Sequence, residues 1–165
     1  MRICVAAGTG EGPTALAAFD AALLEAGVAN YNLIPLSSVI PPGSAIEQRR
    51  YVTPPDDYGN RLFVVIARHD EHEIGGEAWA GLAWTQEPTS GRGLFVEGHG
   101  PSEHAVSEYM EATLEFMIAG REYPYGPIHD ELIGITCRSH PVCAVVVAVY
   151  GSERWPGEFV ISPEL

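Results

Sequence analysis

The residues best placed for chemistry cluster in Asn32-Leu33-Ile34-Pro35-Leu36-Ser37-Ser38-Val39-Ile40-Pro41-Pro42-Gly43. An apolar run with the look of a strand ends there in two adjacent serines, a β-branched pair and two prolines. Proline donates nothing to a ladder and keeps the residue before it out of the helical region. The Ser37-Ser38 peptide is therefore expected in an extended turn at a strand end, where strain can be stored. Taken alone, the pair also fits an ordinary loop.

Two carboxylates join this group. Leu16, Asp20 and Leu23 stand at i, i+4 and i+7 of an expected helix, which puts Asp20 between two leucines on the inward stripe. Burying a lone charge is expensive, so Asp20 either lies solvated at the stripe's edge or is kept for a cationic ligand. Glu97 ends the strand-like run Gly91-Arg92-Gly93-Leu94-Phe95-Val96-Glu97-Gly98, and Phe95 and Glu97 share one face of it.

Other candidates are weaker. His69-Asp70-Glu71-His72-Glu73 has metal-ligating residue types, but it reads as a solvated polar turn before Gly75-Gly76, and no metal is expected. Gly8-Thr9-Gly10-Glu11-Gly12-Pro13-Thr14 lacks the Lys-Ser/Thr of a phosphate loop and reads as a tight turn feeding a helix. Cys4, Cys137 and Cys143 lie in apolar runs without a Cys-x-x-Cys pair, as expected of buried thiols in a reducing compartment. The chain contains no lysine: all nine basic residues are arginine. Chemistry that needs a lysine imine is thereby excluded, and any such reaction must take its electrophile from elsewhere.

The 165 residues, 46% of them hydrophobic, suit a single domain with a full core. A net charge of −13 repels nucleic acid and anionic membranes, so neither is expected as a partner. The same charge is compatible with a cationic ligand, salt adaptation or high solubility. Apolar runs stay short of the roughly 18 residues of a membrane span. Met1-Arg2-Ile3-Cys4-Val5-Ala6-Ala7 starts as a strand rather than a signal, and a cytoplasmic protein is expected.

Strands are expected at residues 2–7, 31–36, 62–68, 78–84, 91–98, 132–137 and 142–150. The last two read as a hairpin around Arg138-Ser139-His140-Pro141, and residues 158–161 as a closing edge. Helices are expected at residues 14–26, stopped by Gly27, and over about 17 residues after Ser102, with Val106, Met110, Leu114 and Met117 along one side. Residues 44–60 read as a long connection. Two helices cannot cover both faces of a parallel sheet of this size, so a mostly antiparallel α/β sandwich follows.

In Asn32-Leu33 followed by Ser37-Ser38-Val39-Ile40-Pro41-Pro42, in the helix bearing Asp20, and in Gly93-Leu94-Phe95-Val96-Glu97, the chain resembles pyruvoyl-dependent arginine decarboxylases. The similarity covers most of the chain; residues 44–60 and 69–92 are fixed by it least, and Trp79 and Trp84 take no role from it. It implies an α/β (α+β) fold, a four-layer αββα sandwich of mostly antiparallel strands. It also implies homo-oligomers of cleaved protomers, trimers or pairs of trimers, with sites between subunits. Self-cleavage between Ser37 and Ser38 would give a β chain of residues 1–37 and an α chain of residues 38–165. In that reaction the Ser38 hydroxyl attacks the Ser37 carbonyl to form an ester, elimination frees the Ser37 carboxylate, and hydrolysis of the dehydroalanine leaves a covalent pyruvoyl group at position 38.

By the same resemblance the substrate is arginine and the products are agmatine and CO2. Glu97 looks like the proton donor, Asn32 the asparagine near the reacting centre, and Asp20 the acid that takes the guanidinium. Leu16, Leu23, Tyr31 and Phe95 would line the aliphatic stem. Two alternatives stay open: a decarboxylase of another cationic amino acid, and an inactive homologue serving as a structural or regulatory subunit. A metal-binding module on His69 and His72 is a third.

Overall fold

The computed structural model describes residues 1–156; the strand expected at residues 158–161 lies outside them. In chain order the elements are β1 (Arg2–Glu11), α1 (Ala15–Ala26), β2 (Asn32–Pro35), β3 (Val39–Ile40) and β4 (Ala45–Gln48). A single 3-10 turn (Pro55–Asp57) precedes β5 (Arg61–Glu71), β6 (Glu77–Gln86) and β7 (Gly93–Gly100). The chain continues through α2 (Glu103–Ala119), β8 (His129–Thr136) and β9 (Val142–Glu153).

Two sheets form, ordered β2-β5-β9-β1-β4 and β3-β7-β6-β8. Among the described residues, only β1 with β4 and β2 with β5 pair in parallel, and the other ladders are antiparallel. Period-two alternation gives each sheet an inner face. Val5, Val65, Ala144, Val146 and Ala148 of the first sheet meet Ala80, Leu82, Trp84 and Phe95 of the second in the central core. On the outer face of the first sheet Ala18, Ala22, Leu23 and Ala26 of α1 cover Val145, Val147 and Leu62. On the outer face of the second, Val106, Met110 and Leu114 of α2 cover Ala83, Leu94 and Val96. The result is the four-layer αββα sandwich.

Both helices begin at a side-chain cap: Thr14 accepts from Ala17 N–H and Ser102 from Ala105 N–H. Of the stripe expected on α1, Leu23 is buried on the inward face, but the structure corrects the other two positions. Leu16 is 74% exposed and Asp20 is exposed, while the inward face is mainly alanine. The cause lies in β1, which runs on through the glycines read from sequence as a turn. A Cβ at Gly10 would sit 2.2 Å from the Ala18 carbonyl oxygen, and one at Gly8 2.2 Å from that of Ala22. With bare glycine below, the helix backbone rests directly on the strand, and only alanine fits between them.

Three further expectations are corrected. Residues 44–60 contain β4, which pairs with β1. His69, Asp70 and Glu71 belong to β5 rather than to a turn. The segments expected as a hairpin, β8 and β9, lie in different sheets, β8 on β6 and β9 between β1 and β5. Cys137 seals that separation by exchanging backbone bonds of 2.8 Å with Gly75 and Gly76, which keeps the end of β8 on its own sheet.

Candidate active site

Strand β2 is an edge of the first sheet and β3 an edge of the second, so Leu36-Ser37-Ser38 must cross from one to the other. Each end of the crossing is anchored by backbone bonds. Leu36 N–H donates to Val64 C=O at 2.8 Å on the first sheet, and Phe95 N–H donates to Ser38 C=O at 2.8 Å on the second. Between them Val39 N–H donates to the Ser37 carbonyl at 2.7 Å, closing a three-residue turn centred on Ser38.

The Ser38 hydroxyl donates to Glu97 Oε1 at 2.6 Å, the length of a charge-assisted bond. Glu97 follows Phe95 by two positions on the inner face of β7 and is half-buried. Phe95 is fully buried against Trp84 (ring centroids 5.9 Å apart) and Tyr150 (6.4 Å). Tyr150, on β9, donates its hydroxyl to Val39 C=O at 3.0 Å. Burial, and then the Glu97 carboxylate nearby, push this phenol up to about 12. A hydroxyl, the carbonyl carbon it could attack, a carboxylate to take its proton and an N–H on the carbonyl oxygen thus share one turn.

The other residues singled out from sequence do not join this group within one chain. Asn32 opens β2 and donates its side-chain amide to Gly59 C=O at 2.7 Å. Tyr31 meets Tyr51 edge-on at 6.1 Å and donates to Asp57 at 3.1 Å; burial, then Tyr51, push its phenol well up. Leu23 is buried beneath α1. Leu16 and Asp20 lie on the solvent side of α1, with the first sheet between them and Ser38.

His69 stacks on His99 of β7 with ring centroids 5.7 Å apart, and Glu71 accepts the backbone N–H groups of His72 and Glu73. Among the described residues no group of three or more His, Cys, Asp or Glu is arranged to hold a metal ion. No described helix is long and apolar enough to cross a membrane. Sequence reasoning missed the backbone donors of Val39 and Phe95, which no side chain advertises. It also missed Tyr150, whose parity with Val146 and Ala148 could have marked an inward-facing residue with a polar tip.

A family model described as pyruvoyl-dependent arginine decarboxylase matches residues 2–154. The chain is 37% identical over 158 residues to the protein of that name from Halobacterium salinarum, covering 91% of this chain and 94% of that one. The protein of the same name from Thermococcus kodakarensis is 32% identical over 149 residues, covering 90% and 93%. One from Methanopyrus kandleri is 51% identical over 43 residues, covering 26% and 29%. The Ser38–Glu97 turn therefore sits in a chain that belongs to the pyruvoyl-dependent arginine decarboxylase family.

Proposed function

We propose that this protein decarboxylates L-arginine to agmatine and CO2, using a pyruvoyl group that it makes by cutting its own chain between Ser37 and Ser38. The observation that carries the reading is the 2.6 Å bond from the Ser38 hydroxyl to Glu97, in a turn whose Ser37 carbonyl already accepts from Val39 N–H. The relatives from Halobacterium salinarum and Thermococcus kodakarensis, aligned over most of the chain, are named for this activity.

In the uncut chain Ser38 Oγ adds to the Ser37 carbonyl carbon and passes its proton toward Glu97. Val39 N–H, 2.7 Å from the Ser37 oxygen, holds the negative charge that develops there. Collapse breaks the Ser37–Ser38 amide and leaves an ester; loss of the Ser38 α-proton then expels the Ser37 carboxylate, and water replaces the enamine nitrogen, released as ammonia. Residues 1–37 and 38–165 result, from one domain. The residues present fit the group: the serine that supplies it is the one held on Glu97. When formed, the pyruvoyl group supplies a ketone for the substrate's α-amine and a sink for the electron pair that CO2 leaves behind. Glu97, beside position 38, returns the proton to the substrate carbon.

Asp20 takes the guanidinium, and Leu16 the stem beside it. Their exposure on α1, a sheet away from Ser38, supports a site closed by a second subunit in a trimer or a pair of trimers. Asn32 is kept near the reacting centre and Tyr31 beside the stem, while Leu23 and Phe95, both buried in the core, support the site from beneath rather than touch the stem. The three free, buried thiols suit a reducing compartment, and we assign the protein to the cytoplasm.

The test is denaturing intact mass with arginine-dependent CO2 release. Two species split after Ser37, the larger with no free amine at its start, and a Ser38→Ala chain that stays whole are expected. A full-length, inactive parent would overturn the reading in favour of a structural or regulatory homologue. Turnover of lysine or ornithine in preference to arginine would correct the substrate.

A further inference from the structure

In an antiparallel ladder the residues of each strand turn their backbone groups alternately toward and away from the partner. The bond from Phe95 N–H to Ser38 C=O flanks the Val39–Leu94 pair, so Val39 presents its own N–H and C=O to the open side of β3. The N–H is bonded to the Ser37 carbonyl, and the C=O accepts the Tyr150 hydroxyl at 3.0 Å. Tyr150 comes from β9, the middle strand of the other sheet, and its ring is braced against Phe95. Among the described residues Glu97 and Tyr150 supply the side chains that hydrogen-bond to Ser38 and Val39.

We propose that Tyr150 is a positioning residue, whose hydroxyl holds Val39 so that position 38 stays beside Glu97 during and after the cut. The proposal rests on the cut between Ser37 and Ser38. Strand β3 has only two residues, and once the Ser37–Ser38 bond is gone nothing covalent steadies its leading end. The Ser37 carbonyl then leaves with the other chain, and Val39 loses its fixed turn. The Phe95 bond and the Tyr150 bond remain, one on each side of the strand. With its phenol raised by burial and by Glu97, Tyr150 keeps its proton, and so its role as donor, across neutral pH.

The experiment compares the parent, Tyr150→Phe and Tyr150→Leu as full chains made by cell-free synthesis. It follows the half-life of self-cleavage by intact mass, kcat and KM for arginine, and thermal midpoint. Phenylalanine keeps the ring on Phe95 and removes only the hydroxyl. Losing one positioning hydrogen bond should lengthen the half-life about threefold or more and lower kcat roughly tenfold, with KM within about twofold and the midpoint lower by only about 1–6 °C. A change in either half-life or kcat, at unchanged KM and assayed well below a midpoint only a few degrees lowered, sustains the assignment. It is overturned if Tyr150→Phe matches the parent in both and only Tyr150→Leu is impaired, since the ring alone then matters. It is equally overturned if losses merely follow a lowered midpoint. A parent chain that never cuts would remove the underlying reading, and this proposal with it.

Discussion

Replacing Gly10 by alanine tests how α1, and with it Asp20, is held. A Cβ at this position would lie 2.2 Å from the Ala18 carbonyl oxygen, 2.4 Å from the Ala22 nitrogen and 2.8 Å from the Ala21 Cβ. The two nearest atoms are helix backbone, so no rotamer change can relieve them. Ordinary contact begins at 3.4 Å, so the helix must lift by about 1.2 Å, loosening Ala18, Ala22 and Leu23 from the sheet. Overpacking of this kind costs roughly 1–3 kcal/mol, and glycine's lost freedom in the unfolded chain returns less than about 1 kcal/mol. A net loss of about 2 kcal/mol lowers the thermal midpoint of a chain this size by roughly 4–8 °C. The Ser38–Glu97 turn lies in other layers, so self-cleavage should proceed at the parental rate. KM for arginine should rise, because Asp20 rides on the displaced helix. A midpoint within about 1 °C of the parent, or a blocked cut with unchanged KM, would refute this account.

Glu97→Gln should lower kcat by about 10²–10⁴ because no acid remains to return the proton. Its amide oxygen can still accept from Ser38, so intact mass should show slower but complete cleavage. Asp20→Asn should raise KM about tenfold or more while the cut goes to completion, the loss of a charge-assisted pair to the guanidinium. Burial, and then His99, hold the folded-state pKa of His69 below its ordinary 6.5, against Glu71 and Asp70. The unfolded chain therefore binds that proton more readily: the stability present above pH 6.5 is lost as pH falls through the folded value. The thermal midpoint should drop over that window, and His69→Gln should flatten the drop.

What the sequence revealed depended on whether local pattern or distant pairing decided each element. Helix α2 was legible to the residue because Ser102 caps it and Val106, Met110 and Leu114 repeat at helical spacing. The inward face of α1 was not. Leucine outweighs alanine in any hydrophobic pattern, yet the glycines of β1 demand alanine at the contact. The separation of β8 from β9 was hidden too, since two apolar runs around a proline turn read as a hairpin unless the ties of Cys137 to Gly75 and Gly76 are known. Ser38 and Glu97 stand 59 positions apart, and no spacing rule joins them; the family resemblance did. The donors that complete the turn, Val39 N–H and Phe95 N–H, are backbone and so have no residue signature at all.

The proposed cut falls at the crossing between the two sheets, and β1 lies between β4 and β9, which belong to the other side of the cut. The short chain of residues 1–37 would thus be zipped along both edges of its longest strand into the chain it was cut from. The cut would leave two polypeptides that share one core, with the loss of fixed structure confined to the turn at Val39. Their separation would require the first sheet to open on both sides of β1, so loss of the native state would become a dissociation whose reversal depends on concentration. The uncut chain could fold as one molecule; the mature pair would have to find each other again. A cut at Ser38 would therefore also be a commitment, trading the ability to refold as one molecule for kinetic persistence.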